Sequence, residues 1–319
     1  MVLASHRLSD RVTRGVAMTQ KTIGFVGFGE AARCFAAHLA GKGVPPPLVF
    51  CEGTTNRPPY SEAFRSIAAA HGVELVDSLR ELMTRADIVF SAVVVATAIP
   101  VGQSIAALVR PGMLVIDINA STPKAKRLTA DAVLANGGAF VDANLMGAVS
   151  IYGAAVPLYC SGDGAERFAG LFAPLGFAIE HAGPDAGTAA AVKMLRSVVT
   201  KGMEALIVEA LTAASLAGVR GEALRGICEP MDATRYSKFV DMCVRTDVLH
   251  AERRAVEMDG VAEGLREIGL QPIMTEATAA RLRTSARLGL RDEFAARPAY
   301  SADDVLDAYA ARTAELQRP

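Results

Sequence analysis

The sequence predicts an α/β chain, a doubly wound sheet followed by an all-α C-terminal domain, and three observations carry that expectation. Short apolar runs alternate with helical segments from Lys21 to about Gly183. Within them, Lys21 to Gly43 reads as buried strand, glycine turn and helix start in immediate succession. Beyond Gly183-Pro184-Asp185 the alternation stops and helical spacing alone remains. The expected organisation of the 319 residues is a disordered tail over 1–20, the sheet domain over 21–183 and the helical domain over 184–319.

The first strand rests on Ile23, Phe25 and Val26, an apolar run too short for a helix. A helix from Ala31 to Ala40, a strand Leu48 to Cys51, a helix Ser61 to His71, a strand Val73 to Leu75, a helix Leu79 to Thr84 and a strand Ile88 to Val93 follow. Gln103 to Val109 reads as helix, Met113 to Ile118 as strand, Lys124 to Asn136 as helix and Ala139 to Asp142 as strand. Tyr159 to Ser161, a helix Ala165 to Leu175 and Ala178 to Glu180 complete the alternation. Ala186 to Ala217 contains no proline and places Ala, Val, Leu and Met at helical spacing, so it predicts one helix of roughly 45 Å. The remainder reads helical, with Gly221, Pro230, Gly264, Gly269 and Pro272 as punctuation.

Composition narrows the function. The formal net charge is -1, which gives no footprint for nucleic acid or a membrane surface and leaves a small-molecule substrate. No apolar stretch reaches the roughly 20 residues of a bilayer-crossing helix. Five scattered cysteines without a C-x-x-C pair indicate neither a disulfide framework nor a zinc site, and no metal is expected. The first 17 residues lack the apolar core of a secretory signal, so a cytoplasmic protein is expected. Apolar residues make up 51% and aromatics 6%, so packing must rest on Ala, Val, Leu and Met.

Gly27-Phe28-Gly29-Glu30-Ala31-Ala32 spells G-x-G-x-x-A between the first strand and its helix, the fingerprint of a Rossmann-type dinucleotide site. Gly27 permits the tight turn, Gly29 lets backbone approach a pyrophosphate, and Ala32 lets helix and strand close up. At the end of the second strand, Glu52 would accept from an adenosine ribose and favours NAD. Asn56 and Arg57 follow, and an arginine there would instead hold a 2′-phosphate, so NADP stays open. On the long helix, Lys193, Arg196, Ser197 and Thr200 form a polar stripe, while Val192, Leu195, Val199 and Met203 form an apolar one. A lysine desolvated there beside Arg196 would have its pKa lowered toward working pH and serve as general acid or base; a snorkelling lysine is the other reading.

Taken together, the fingerprint, the strand end Asp142-Ala143-Asn144-Leu145-Met146-Gly147 and Gly187-Thr188-Ala189-Ala190-Ala191-Val192-Lys193 resemble the β-hydroxyacid dehydrogenases of the 6-phosphogluconate dehydrogenase-like superfamily. The nearer resemblance is to the branch of NAD(P)-dependent oxidoreductases with a phosphogluconate-dehydrogenase-like helical C-terminal domain, and it covers Lys21 to about Arg283. It implies that Lys193 is catalytic, that the helical domain serves substrate binding and dimerisation, and that the active site lies in a cleft between two domains of a homodimer. The nicotinamide is then expected past Val93, Val94 and Asn119, and the substrate between Met146-Gly147 and Lys193.

The chain departs from the family's pattern at several of these positions. The family's D-x-S-T is Asp117-Ile118-Asn119-Ala120-Ser121-Thr122 here, with Asn119 in place of the serine and Ser121 two positions on; a turn-forming or capping role for both is the alternative. Met146 replaces the substrate serine of D-A-P-V-S-G-G, leaving the Gly147 and Ala148 amides to bind an anion. Arg196 and Ser197 replace asparagines, with Ser197 expected to orient Lys193, and Thr200 replaces the glutamate of decarboxylating members. A non-decarboxylating reaction on a small anionic hydroxy acid or its carbonyl is therefore expected. His250 and Arg253 stand at helical offsets in a string typical of the branch and would close over an anionic group; a solvated Arg-Glu face is the alternative. Two other readings stay open: an imine reductase, whose members usually carry Asp or Tyr where Lys193 stands, and a dinucleotide-binding sensor without catalysis.

Overall fold

The central strands are short runs rich in Ile, Val, Leu and Phe and buried from end to end, the pattern of a sheet covered on both faces, while the two outermost are partly exposed. The computed structural model describes residues 21–53 and 56–318, so the tail expected over 1–20 lies outside the described residues. Strands β1 (Ile23–Val26), β2 (Leu48–Phe50), β3 (Glu74–Leu75), β4 (Ile88–Ser91), β5 (Leu114–Asp117), β6 (Ala139–Leu145), β7 (Leu158–Ser161) and β8 (Ile179–His181) form one sheet of order β3-β2-β1-β4-β5-β6-β7-β8. Neighbours are parallel except β6 and β7, which run antiparallel. The order reverses between β1 and β4, and the crevice at their carboxyl ends is the topological switch point of such a sheet.

Helices α1 (Glu30–Gly41), α2 (Glu62–Ala70), α3 (Leu79–Arg85), α4 (Ala98–Ala106), α5 (Pro123–Ala135), α6 (Val149–Tyr152) and α7 (Ala165–Phe172) connect them. Two apolar clusters result. One gathers Phe25, Phe35, Phe90, Phe168 and Phe172, and the other Val89, Val115, Leu82, Ile105 and Val133. Side chains alternate across a strand, so Phe25 and Phe90 enter the first while Val26 and Val89 enter the second.

Several boundaries differ from expectation, three of them for an identifiable reason. Helix α4 begins at Ala98 rather than Gln103, because Pro100 falls in its first turn, where the missing N–H costs no intrahelical bond. Strand β4 stops at Ser91 rather than Val93, since the Val93 N–H donates to the Asn119 side chain. Strand β6 runs on to Leu145, three residues beyond Asp142: Asn and Asp are poor strand formers, yet pairing with β7 continues through Leu145 and Leu158.

The chain divides into two compact units after Ser197. The long helix α8 (Thr188–Leu216) starts in the first and ends in the second. The second unit continues through α9 (Arg220–Ala233), α10 (Tyr236–Glu267), α11 (Ile273–Arg287), α12 (Arg291–Ala295) and α13 (Ala302–Leu316). Gly221, Pro230 and Gly264 lie inside helices and do not break them, whereas Gly269 and Pro272 do separate α10 from α11. Val248, Leu288, Leu290, Phe294 and Val305 form the apolar centre of this unit. The start of α11 is capped from α8: Glu209 accepts from the Met274 and Thr275 N–H groups and the Thr275 hydroxyl.

Candidate active site

The glycine turn leaves the start of α1 open. Gly27 has φ +92°, and a Cβ there would lie 2.2 Å from the Ala92 carbonyl oxygen, so only glycine fits where β1 meets β4. Its N–H donates to the Phe50 carbonyl. Gly29 is the N-cap of α1 with extended backbone and no side-chain cap, and a Cβ there would meet nothing within 4 Å. The first N–H groups of α1 thus lack a side-chain cap beside open space, the arrangement in which a helix start receives an anion. Ala32 is fully buried against the sheet. The Phe28 ring packs into the core against Phe64 and His71, so its backbone is what faces the turn, and its carbonyl accepts from Arg33. Glu30 and Ala31 open the helix, Glu30 exposed and Ala31 partly buried, and the Glu30 carboxylate complements the helix dipole.

The end of β2 is pinned by Tyr60, whose hydroxyl accepts from the Cys51 N–H and donates to the Val76 carbonyl. Burial pushes the Cys51 thiol up to about 11 and the Tyr60 phenol up to about 12, so both are neutral structural groups. Glu52 and Arg57 stand exposed just beyond, with Asn56 partly buried and its carbonyl accepting from Gly53.

At the ends of β4 and β5, Asn119 is buried and turned inward. Its Oδ1 accepts from the Val93 N–H at 2.6 Å, its Nδ2 donates to Ser91 Oγ at 2.9 Å, and its own N–H donates to Asp117 Oδ1. Asn119 therefore braces Val93 and the exposed Val94. Ser121 is partly buried in the following turn, and Thr122 rather than Ser121 caps α5.

Beneath this edge runs a buried polar row that sequence reasoning missed. Ser91, Asp117, Asp142 and Ser161 are register partners across β4, β5, β6 and β7. Lys126, fully buried, lies 3.0 Å from Asp117 Oδ1 and 3.3 Å from Asp142 Oδ1 and donates to the Asp117 carbonyl. Asp142 Oδ2 also accepts from the N–H groups of Gly187 and Ala190, and Ser161 Oγ accepts from Ala189 N–H. The start of α8 is thereby capped from the sheet. A signal for Lys126 existed: with Thr129, Ala130 and Val133 it occupies the buried stripe of α5, where an unpartnered lysine is not tolerated.

One turn after Ala190 comes Lys193, partly buried. Three residues later Arg196 donates to the Met146 carbonyl at 2.8 Å, beside the end of β6. Ser197 Oγ donates to the backbone carbonyl of Lys193 at 3.0 Å. Gly147 lies under the ring of Tyr152, which a Cβ would meet at 2.8 Å, and Ala148 precedes the four-residue helix α6. Thr200, His250 and Arg253 belong to the second unit, all exposed; His250 and Arg253 line a cavity of about 330 Å³ there with Glu252 and Arg291, and Arg253 pairs with Glu257. The described residues contain no group of side chains able to hold a metal and no helix long and apolar enough to cross a membrane.

A glycine turn at the switch point of a parallel sheet defines the class, a dinucleotide-binding oxidoreductase fold. Residues 22–121 match the family described as NADP oxidoreductase, coenzyme F420-dependent, and residues 214–285 match a domain of unknown function, DUF1932. A conserved hypothetical protein from Sinorhizobium meliloti 1021 is 31% identical over 92% of this chain and 96% of its own, with a TM-score of 0.58. A conserved protein of unknown function, reported to be structurally similar to 3-hydroxyacid dehydrogenases, is 30% identical over 83% of this chain and 98% of its own, with a TM-score of 0.56. An imine reductase variant from Myxococcus stipitatus, in complex with NAD+, shares the fold at a TM-score of 0.67 and 19% identity, over 85% of this chain and 95% of its own. The chain belongs to the β-hydroxyacid dehydrogenase and 6-phosphogluconate dehydrogenase-like superfamily, as its three motifs imply.

Proposed function

We propose that the protein is an NAD(P)-dependent oxidoreductase that moves hydride between nicotinamide and the hydroxyl-bearing carbon of a small, anionic hydroxy acid, or reduces the matching carbonyl. The observation that carries this reading is the placement of Lys193: partly buried on α8, one turn from the Asp142 latch at Ala190 and three residues before the Arg196 latch on Met146. A positioned amine of this kind takes the hydroxyl proton in oxidation and returns it to the developing alkoxide in reduction. The uncapped start of α1 and the open space at Gly29 fit a pyrophosphate, with the backbone of Phe28, Glu30 and Ala31 as donors and Val93 and Val94 beside the ring. A bound nicotinamide supplies or accepts the hydride. Glu52 suits a ribose hydroxyl, and Asn56 with Arg57 suits a 2′-phosphate; both cofactors are retained, NAD slightly favoured. Met146, Gly147, Ala148 and Ser121 would line the substrate, and Thr200 offers no acid for a coupled decarboxylation.

Replacing Lys193 by Met is expected to leave cofactor affinity nearly unchanged and lower turnover by roughly 10²-fold or more. Equal turnover in that variant overturns the assignment. The substrate class is read by NADH or NADPH oxidation across keto acids, semialdehydes and imines. Imine reduction is the second reading, favoured by the higher TM-scores to imine reductases than to the 30% identical relatives. Cofactor binding without turnover on any substrate would support the sensor. We further propose that the protein acts as a homodimer.

A further inference from the structure

Beside the polar row on β6 stands one buried group whose hydrogen bonding is incomplete. Asn144 is buried on β6, and its Nδ2 donates to Asp142 Oδ1 at 2.8 Å. Its Oδ1 is buried with no hydrogen-bond partner among the described residues. Rotating the amide to exchange the two atoms would aim its oxygen at a carboxylate that only accepts, so Asp142 forces the Oδ1 outward. Asp142 is itself fixed by Lys126 and by the N–H groups of Gly187 and Ala190. A buried carbonyl oxygen held in one direction by such a chain calls for a donor.

The register identifies that donor. Asp142, Asn144 and Met146 alternate onto one face of the β6 segment. Asp142 is latched to Ala190 and the Met146 carbonyl to Arg196, so strand and helix run side by side in the same direction. Asn144 is midway between the strand-side anchors. Lys193 is midway between the helix-side anchors, on the turn that follows Ala190. Over those spans the strand covers about 13 Å and the helix about 9 Å, short enough for a lysine side chain to close the difference.

We propose that Asn144 is the positioning residue of Lys193: its Oδ1 receives a hydrogen bond from the Lys193 ammonium, holding the amine over the end of β6. Its catalytic consequence rests on the general acid/base reading of Lys193, whereas the hydrogen bond does not. The test uses full-length protein labelled with [ε-¹³C]lysine, with the Lys193 resonance assigned by its absence in Lys193→Met. Its titration is compared between wild type, Asn144→Leu and Asn144→Ser; the serine variant keeps a hydroxyl that can donate to Asp142, while its oxygen stands one bond short of the Oδ1 position and out of reach of the ammonium, and so serves if the leucine variant does not fold.

An acceptor that stabilises the charged form raises the pKa, so removing it should lower the Lys193 titration by about one pH unit in either folded variant. The corresponding limb of the kcat profile should move with it, and cofactor affinity should stay unchanged. An unshifted Lys193 titration in a folded variant overturns the proposal even if Lys193→Met abolishes turnover. Conversely, undiminished turnover in Lys193→Met rejects the acid/base reading while the resonance still decides the hydrogen bond.

Discussion

A methyl group added at Gly27 would sit 2.2 Å from the Ala92 carbonyl oxygen on a backbone of φ +92°, while one added at Gly29 would meet nothing within 4 Å. The two glycines of one loop therefore separate folding from binding. Gly27→Ala should destabilise the sheet unit, by about 1 kcal/mol from the backbone alone and more from the clash. Gly29→Ala should melt like wild type and bind NADH or NADPH at least tenfold more weakly, because its methyl group occupies the space proposed for the pyrophosphate; a fluorescence titration measures this. Unchanged affinity in Gly29→Ala would remove the cradle from the reading. These glycines were legible because the turn and its flanks are local in sequence. The partners of Asn119 and Asp142 were not legible because they are remote: Asn119 braces Val93 across 26 positions and Asp142 caps Ala190 across 48. A buried polar side chain shows in sequence as an anomaly, but which groups satisfy it is decided by strand register.

At the scale of elements, the alternating pattern located the eight strands and the helix that follows β1, since each carries its own period and breaker. Boundaries failed where a tertiary bond overrides the local preference, as at Val93 and along Asp142 to Leu145. The same override caps α11, whose start has no side-chain cap of its own and takes Glu209 from α8 instead. Partial burial pushes the Glu209 carboxyl up, but donors from Thr275, Met274 and Ile273 outweigh it and hold it below the usual range. A carboxylate depressed in the folded state stabilises above its unfolded pKa, roughly 4.3, and loses that contribution as pH falls through the folded value. Glu209→Ala should therefore cost about 1–2 kcal/mol at pH 7, the scale of a lost helix cap. Urea midpoints of variant and wild type should converge as the pH is lowered below that range. A gap that persists undiminished in acid would mean that the carboxylate charge is not what caps α11.

For the whole molecule, the long helix presents its faces in the reverse of the usual order. Lys193 and Ser197 of its polar stripe are partly buried and Arg196 is tied to the Met146 carbonyl, whereas Val192, Leu195, Val199, Met203 and Leu206 are between 38% and 60% exposed. Those five residues follow 3-4 spacing along one stripe, the pattern of a helix that packs against a partner. Helix α9 adds exposed Leu224, Ile227 and Met231 and buries no residue within the chain. Full burial of such side chains is worth roughly 1.5–3 kcal/mol each, so leaving the stripe in water forgoes a stabilisation comparable to the net stability of a domain. In the proposed homodimer a second copy of the chain would supply a matching stripe at equal concentration, the isologous arrangement of a two-fold dimer. Light scattering at micromolar concentration should return twice the chain mass, and Val199→Glu with Leu206→Glu should return the mass of one chain by placing buried, unpaired carboxylates in the seam. Because the stripe shares its helix with Lys193, the paired variant should also lose turnover as it dissociates. A monomeric wild type would reject the dimer and leave the exposed stripe to some other cover.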